Sequence, residues 1–482
     1  MSARDKTCIK KLFIFILFFA SLSIPFSCKK FLEIPAPITK VTSANVYTNA
    51  ETAASVLTNI YANLSATNQN LFSDGLSSIS LLSALSGDEL VLYNLNDATL
   101  FPFYTNDLTN STIPNFWNGS YSALFAINAA IEGLSATTSL TPSVKNQLLG
   151  EAKFMRAFYL FYLTNLYGDI PLTISTDYKL NAKLSRSAQT AVMTQIVLDL
   201  QQAQGLLSDM YLSGDVQTST EERVRPTKWA ATALLSRAYL YEKSYKQAAE
   251  EATKLIDHSS LYNLTTLNEV FLKNSSEAIW QLQPVGKFES SNTGDGATFV
   301  LPSDGPNNIF NPVYLSTNLL NDFEPADQRK NNWVDSVTAN GLTYYYPFKY
   351  KIGRVNTPTV EYIMVLRLGE QYLIRAEARA QSGDLNGAVA DVNVIRNRAR
   401  LPNLSGIDPN KIVDIIAHER KVELFTEWGH RWLDLKRLNK IDAVMAIATP
   451  KKGGAWKSSA KLYAIPLSEL EKNKNLVQNP GY

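Results

Sequence analysis

Residues Leu366 to Ala399, LRLGEQYLIRAEARAQSGDLNGAVADVNVIRNRA, leave little freedom about what they form. Leu368, Tyr372, Leu373, Ala376 and Ala380 recur at helical spacing, and Ala388, Val392, Ile395 and Ala399 repeat the apolar stripe after a break. At the break, Ser382-Gly383-Asp384, Gly383 suits the left-handed turn that ends a helix, and the Asp384 carboxylate suits the first amides of the next. The spacing predicts a helix hairpin with small alanines along its seam. Such a hairpin cannot bury its outer face alone, so other parts of the chain must cover it.

A second copy lies about 140 residues upstream, at Arg225 to His258. Trp229, Ala233, Ala238 and Tyr239 lead into a turn at Lys243-Ser244, and Tyr245, Ala248, Ala252 and Leu255 return. Tyr245 aligns with Leu385 and Ala248 with Ala388, a divergent repeat with tetratricopeptide-type packing rather than a clean tandem solenoid. Helical periodicity also marks Asn49 to Asn63, Tyr121 to Leu134, Val144 to Tyr167, Ser187 to Met210, Ile412 to Trp428 and Trp432 to Leu438. In Val144 to Tyr167 the stripe is Leu148, Ala152, Met155, Tyr159, Tyr162 and Leu166, stopped by Gly168-Asp169-Ile170-Pro171. Ala464-Ile465-Pro466 through Tyr482 reads as an extended tail.

Two stretches break the helical pattern. Residues 66–118 mix Ser, Asn, Asp, Gly and Thr with aromatics, and 261–363 do the same, with an alternating strand at AIWQLQ (Ala278 to Gln283). Long irregular insertions on a helical frame are where binding surfaces tend to be built. Sugar recognition needs flat aromatic faces for the C–H side of a ring, with amides and carboxylates for its hydroxyl rim. The insertions offer both, and the candidate ligand contacts are Asp88, Tyr93, Asn96, Tyr104, Tyr314, Trp333 and Tyr345. Each aromatic alone also fits loop packing, and Asp88 with Glu89 also fits a role in tying down its own loop. Trp117 and Trp280 read as core.

Catalytic constellations find little support. In His418-Glu419-Arg420-Lys421-Val422 a zinc-protease helix would need His where Val422 stands. The charges from Glu419 to Arg437 read instead as ion pairs between two consecutive helices over Leu424, Phe425, Trp428 and Trp432. Asp88-Glu89 is the one acidic pair in the first insertion, and adjacent residues rarely face one cleft as glycoside hydrolysis requires. Neither a GxSxG elbow nor a Walker loop appears, and no cofactor is expected.

The chain opens with a basic segment, the apolar run Leu12 to Ser27 and then Cys28, which predicts an export signal over 1–27. Removing it would take Cys8 as well and leave Cys28 as the single thiol, placed as the acceptor of a bacterial lipoprotein box. Residues 28–48 read as a lipidated tether and 49–482 as one domain. Of the formal charge of +2, Arg4, Lys6, Lys10 and Lys11 against Asp5 carry +3, so the remainder is near −1. That balance argues against electrostatic binding of nucleic acid.

Several stretches together resemble the RagB/SusD family: Cys28 followed by KKFLE, GEAKFMRAFYLFYLTNLYGDIPL (Gly150 to Leu172), the hairpin Leu366 to Ala399, ERKVELFTEWGHRWLDLKR (Glu419 to Arg437) and AIPLSELEKNKNLVQNPGY (Ala464 to Tyr482). The resemblance implies a nutrient-binding outer-membrane lipoprotein of Bacteroidota, without catalytic activity. It implies an all-α fold of four tetratricopeptide-like hairpins, with the ligand face in the insertions and a few short strands there. The two hairpins not seen from periodicity would pair Asn49–Asn63 with Tyr121–Leu134 and Val144–Tyr167 with Ser187–Met210. The partner implied is a SusC-like TonB-dependent β-barrel transporter, and the ligand an oligosaccharide. A peptide ligand, a purely structural scaffold and a glycan-cleaving enzyme remain the alternatives.

Overall fold

The computed structural model describes residues 46–65, 75–109, 116–285 and 292–482. The expected signal segment, Cys28 and most of the expected tether lie outside them. Residues Tyr47–Tyr482 cluster as one unit. Its helical frame consists of α1 (Ala50–Ser65), α2 (Ile79–Ser86), α3 (Phe116–Ala136), α4 (Pro142–Tyr167), α5 (Gln189–Leu206), α6 (Lys228–Tyr241), α7 (Tyr245–Ile256), α8 (Leu368–Gln381), α9 (Leu385–Arg398), α10 (Ile412–Leu424) and α11 (His430–Arg437). Short strands β1 (Leu90–Leu92), β2 (Ala278–Leu282), β3 (Val313–Leu315), β4 (Val334–Ala339), β5 (Leu342–Pro347) and β6 (Ile363–Arg367) lie in or border the two insertions.

The hairpins form as the spacing predicts. Gly383 takes φ +86°, and the Asp384 carboxylate accepts from the Gly387 amide at 2.8 Å. Helix α1 packs on α3, α4 on α5, α6 on α7 and α8 on α9, which makes four hairpins. Each pair also meets the next, through α3 with α4, α5 with α6 and α7 with α8. The two copies far apart in sequence are therefore direct neighbours, and the chain between α7 and α8 bulges out as an insertion without interrupting the stack.

Helix α4 is the centre of the core. Phe154 through Tyr167 are all buried, so a helix whose sequence suggests one apolar stripe is enclosed on every side. Phe158 sets its ring edge-on to Trp280 at 5.4 Å and to Trp428 at 5.4 Å, joining the frame to β2 and to the segment after α10. Buried arginine–carboxylate pairs cross the helix seams: Arg156–Asp199 at 2.7 Å (α4 to α5), Arg237–Glu370 at 2.6 Å (α6 to α8) and Arg375–Asp391 at 2.7 Å (α8 to α9). Each is held by two parallel hydrogen bonds, which fixes the relative height of the helices. The tail closes the end of α4, where Asn479 Nδ2 donates to the Tyr167 carbonyl at 2.9 Å and the Tyr463 amide to the Leu166 carbonyl at 2.9 Å.

Three expectations need correcting. Helix α10 stops at Leu424 rather than Trp428, because Thr426 and Trp428 take left-handed φ of 52° and 45°. Buried cations meet the carbonyls that the helix end leaves without a helical partner: Lys349 Nζ donates to Glu423 O at 2.8 Å and Phe425 O at 2.9 Å, and Arg367 donates to Glu423 O at 3.0 Å. Secondly, the charges of Glu419 to Arg437 mostly leave the two helices that carry them. Arg420 and Asp434 do bridge α10 and α11, but Glu419 binds Arg329, Glu423 binds Arg367 and Arg398, Arg431 binds Asp88 and Arg437 binds Glu377. Thirdly, the AIWQLQ strand forms but is buried on both faces, paired to β6.

Candidate functional site

The two insertions meet in one antiparallel pair. In β1 and β3, Leu90 faces Leu315, Val91 faces Tyr314 and Leu92 faces Val313, and the Tyr93 amide extends the ladder to Pro312 O at 2.8 Å. The leucines and Val313 enter the core, while the alternation of a strand turns Val91 and Tyr314 to the outer side. The β4–β5 hairpin packs against β3. Its register sets Tyr344 against Val337 and Tyr345 against Ser336, so the two tyrosines leave opposite faces.

Tyr93, Tyr314 and Tyr344 come together as a result. Tyr344 lies edge-on to Tyr93 at 6.1 Å and to Tyr314 at 5.1 Å. Tyr93 is 40% exposed and the other two are half-buried, so the group presents ring surface to solvent from a rigid base. Gly305 makes room beside it: φ is +87°, and a Cβ there would fall 2.9 Å from the Ala339 Cβ and 3.6 Å from the Tyr344 ring. Tyr104 sits behind the cluster, buried, its hydroxyl pKa raised by burial and by Tyr314, with the Lys452 ammonium 5.3 Å from its ring centre. Asn96 stands exposed in the turn after β1, its amide bound to Asn94 Oδ1 at 3.1 Å.

Three of the expected contacts are placed elsewhere. Trp333 is fully buried, its indole N–H donating to Leu267 O at 2.8 Å and its ring lying 4.9 Å from the Lys349 ammonium and 5.5 Å from the Arg398 guanidinium. It serves the buried charge network behind the face and offers no platform. Asp88 is buried too, bound by Arg431 at 2.8 Å, Lys421 at 3.0 Å and Asn318 at 2.8 Å. Burial alone would raise its pKa, but the hydrogen bonds and charges of Arg431 and Lys421 outweigh that and hold it well below the usual carboxylate range. Its oxygens are taken by the protein, so it anchors β1 to α10 and α11. Tyr345 is 41% exposed but on the other face of the hairpin from Tyr344.

Glu89 differs from its neighbour. Burial pushes its pKa up to about 8, with Asp88's charge adding to the shift, and Oε1 has no hydrogen-bond partner among the described residues. The split between the two carboxyls comes from environment, but both are enclosed, Glu89 at 2% exposure. Trp117 and Trp280 are core residues as expected. Sequence reasoning passed over Tyr344 in favour of Tyr345, although period-two counting in LTYYYP would place Tyr344 and Tyr346 on one face once the register is known.

A family model described as starch-binding, associating with the outer membrane, matches residues 30–240, and a second, described as SusD family, matches 328–482. The chain belongs to the RagB/SusD family. Among its RagB/SusD relatives, "SusD-like protein P2" of Formosa agariphila is 28% identical over 427 residues, 77% of this chain and 81% of that one. A SusD superfamily protein from Bacteroides vulgatus has a TM-score of 0.78 at 21% identity, covering 90% of this chain and 99% of the other. A laminarin-binding SusD-like protein has a TM-score of 0.70 at 23% identity, covering 90% and 98%. RagB/SusD proteins are glycan-binding proteins of the outer-membrane surface that work with SusC-like transporters. Among the described residues of this member no helix is long and apolar enough to cross a membrane.

Proposed function

We propose that this protein is a lipid-anchored, non-catalytic receptor that captures an oligosaccharide at the outer surface of the cell and hands it to a SusC-like TonB-dependent transporter. The observation that carries the reading is the tyrosine trio Tyr93, Tyr314 and Tyr344, held at 6.1 and 5.1 Å by backbone pairing between two insertions. Rings fixed this way lose little freedom on binding, so a sugar ring laid on them keeps most of its contact energy. Asn96 and Asn94, in the turn that follows Tyr93, supply amides for the hydroxyl rim. Capture needs no bond to break, and the enclosure of Asp88 and Glu89 keeps that carboxyl pair from any substrate.

Anchoring is assigned to Cys28: several acyl chains at about 0.8 kcal/mol per buried CH₂ hold a domain of this size to a membrane. Isothermal titration against a panel of starch, laminarin, xylan, mannan and pectin fragments, beside a peptide panel, tests the ligand class. Saturable binding to one glycan supports it; binding to peptides alone refutes it. The anchor fails if a Cys28→Ser protein stays at the cell surface.

A further inference from the structure

A buried tyrosine hydroxyl normally finds a partner. In the body of this protein Tyr61 donates to Glu151 at 2.8 Å, Tyr121 to Pro171 O at 2.9 Å and Tyr482 to Leu462 O at 2.6 Å. The tyrosines gathered by the insertions differ, for the hydroxyls of Tyr93, Tyr314, Tyr344 and Tyr104 make no hydrogen bond to any described residue. At 40% exposure, Tyr93 has water to hand. Tyr104 is only 7% exposed, so its missing partner needs another account.

Tyr167 and Tyr241 also carry unmet hydroxyls, but those are closed off inside the core, whereas the Tyr104 hydroxyl retains accessible surface. The helical turn Phe101–Tyr104 packs on β1, the strand that pairs with the one carrying Tyr314. Burial and then Tyr314 raise the pKa of the Tyr104 hydroxyl, and burial and then Tyr344 raise that of Tyr314, so the phenols lie within electrostatic reach of one another and stay protonated. On its other side the Lys452 ammonium, 5.3 Å from the Tyr104 ring centre, gives its three N–H groups to the carbonyls of Leu85, Ser86 and Gly87. The turn after β1 adds an acid, Asp97, whose Oδ1 accepts from the Thr99 and Leu100 amides at 2.9 Å.

We propose that Tyr104 is a specificity-determining contact whose hydroxyl reads a ligand hydroxyl at the foot of the tyrosine cluster, and that the cluster takes an uncharged oligosaccharide in preference to one bearing uronate or sulfate. This rests on the glycan reading of the trio and narrows it. A phenol can donate or accept, as a sugar hydroxyl can, so the two match in either direction. A carboxylate or sulfate would leave water for a surface of neutral phenols and amides, with the donors of Lys452 already taken and Asp97 repelling it. Burying an unpaired charge in this way costs far more than burying a hydroxyl that finds a partner.

The test is isothermal titration of the mature, folded protein with maltohexaose, laminarihexaose, xylohexaose and mannohexaose, and with trigalacturonate and a chondroitin sulfate hexasaccharide. Saturable binding to at least one neutral oligosaccharide is expected, with both charged ones at least about tenfold weaker. Raising the salt from about 50 to about 500 mM should change the neutral affinity less than about twofold, since no ion pair is screened. Tyr104→Phe should weaken binding of the neutral ligand about 2- to 12-fold, the scale of one lost hydrogen bond. Because the hydroxyl bonds to nothing in the protein, the same variant should leave the melting temperature unchanged or higher. Tyr121→Phe, which loses its bond to Pro171 O, should do the reverse, lowering the melting temperature and leaving affinity as it was. Unchanged affinity in Tyr104→Phe, a fall in its melting temperature, or tightest binding to a charged ligand overturns the inference while the glycan reading stands. The charged arm needs no variant and decides the case should Tyr104→Phe fail to fold. Binding to no glycan at all removes the glycan reading and this inference with it.

Discussion

The trio makes its sharpest prediction through two neighbours on one strand. Tyr344→Ala and Tyr345→Ala remove the same atoms from adjacent positions of β5, but the register sends the rings to opposite faces. Tyr344 holds two edge-to-face contacts, at 6.1 Å with Tyr93 and 5.1 Å with Tyr314. Each such contact is worth about 0.5–1.5 kcal/mol, and the ring also offers its own face to a sugar. Losing both the support and the surface is expected to weaken glycan binding by about 1–3 kcal/mol, or roughly 5- to 150-fold in Kd. Tyr345→Ala removes no contact of the cluster, and less than about a twofold change is expected. Isothermal titration with the glycan identified from the panel measures both variants, and circular dichroism confirms folding. If Tyr345→Ala weakens binding as much as Tyr344→Ala, or if neither does, the trio is not the platform. Trp333→Phe completes the comparison: it should lower the melting temperature by removing the bond to Leu267 O and leave affinity unchanged.

Asp88→Asn should cost about 3–5 kcal/mol in urea unfolding, because it leaves Arg431 and Lys421 buried beside a neutral group. Since the folded pKa of Asp88 is depressed, its contribution is fully present above about pH 4, its unfolded value, and is lost as the pH falls further. Glu89 has the opposite sign. With a folded pKa of about 8 against an ordinary 4.5, the folded state holds a proton the unfolded chain has released, so stability declines between those values at up to about 1.4 kcal/mol per pH unit. Glu89→Gln should remove that slope, and unfolding curves at pH 6 and pH 8 that differ as much as in the wild type would contradict it. Gly305→Ala should weaken glycan binding by displacing Tyr344, since φ +87° and a contact at 2.9 Å with Ala339 leave the added methyl no place; unchanged affinity would show that the loop yields without disturbing the ring.

How much was legible in advance depended on the range of the interaction. The hairpin turn at Gly383-Asp384 could be read directly, because a left-handed glycine and a capping carboxylate act over a few residues. The stripes of α6 to α9 follow from the same local rule. What local patterning does not report is whether an apolar face is one of several. Helix α4 reads as amphipathic and is enclosed all round, because α3, α5, β2 and the tail arrive from distant parts of the chain. The end of α10 is likewise invisible to local patterning, its last carbonyls being met by Lys349 and Arg367 from elsewhere.

The candidate site shows the division most clearly. The sequence by itself determined that the chain has a helical-hairpin frame and two aromatic, amide-rich insertions, since periodicity and turn chemistry are properties of neighbouring residues. It placed Tyr93 and Tyr314 among the candidates by composition. Only the tertiary structure decided that β1 pairs with β3, that Tyr344 rather than Tyr345 faces Tyr93, and that Trp333 and Asp88 are enclosed by Lys349, Arg398, Lys421 and Arg431. A strand's two faces look alike until its partner and register exist, and a charged or aromatic side chain is exposed or buried according to what packs over it.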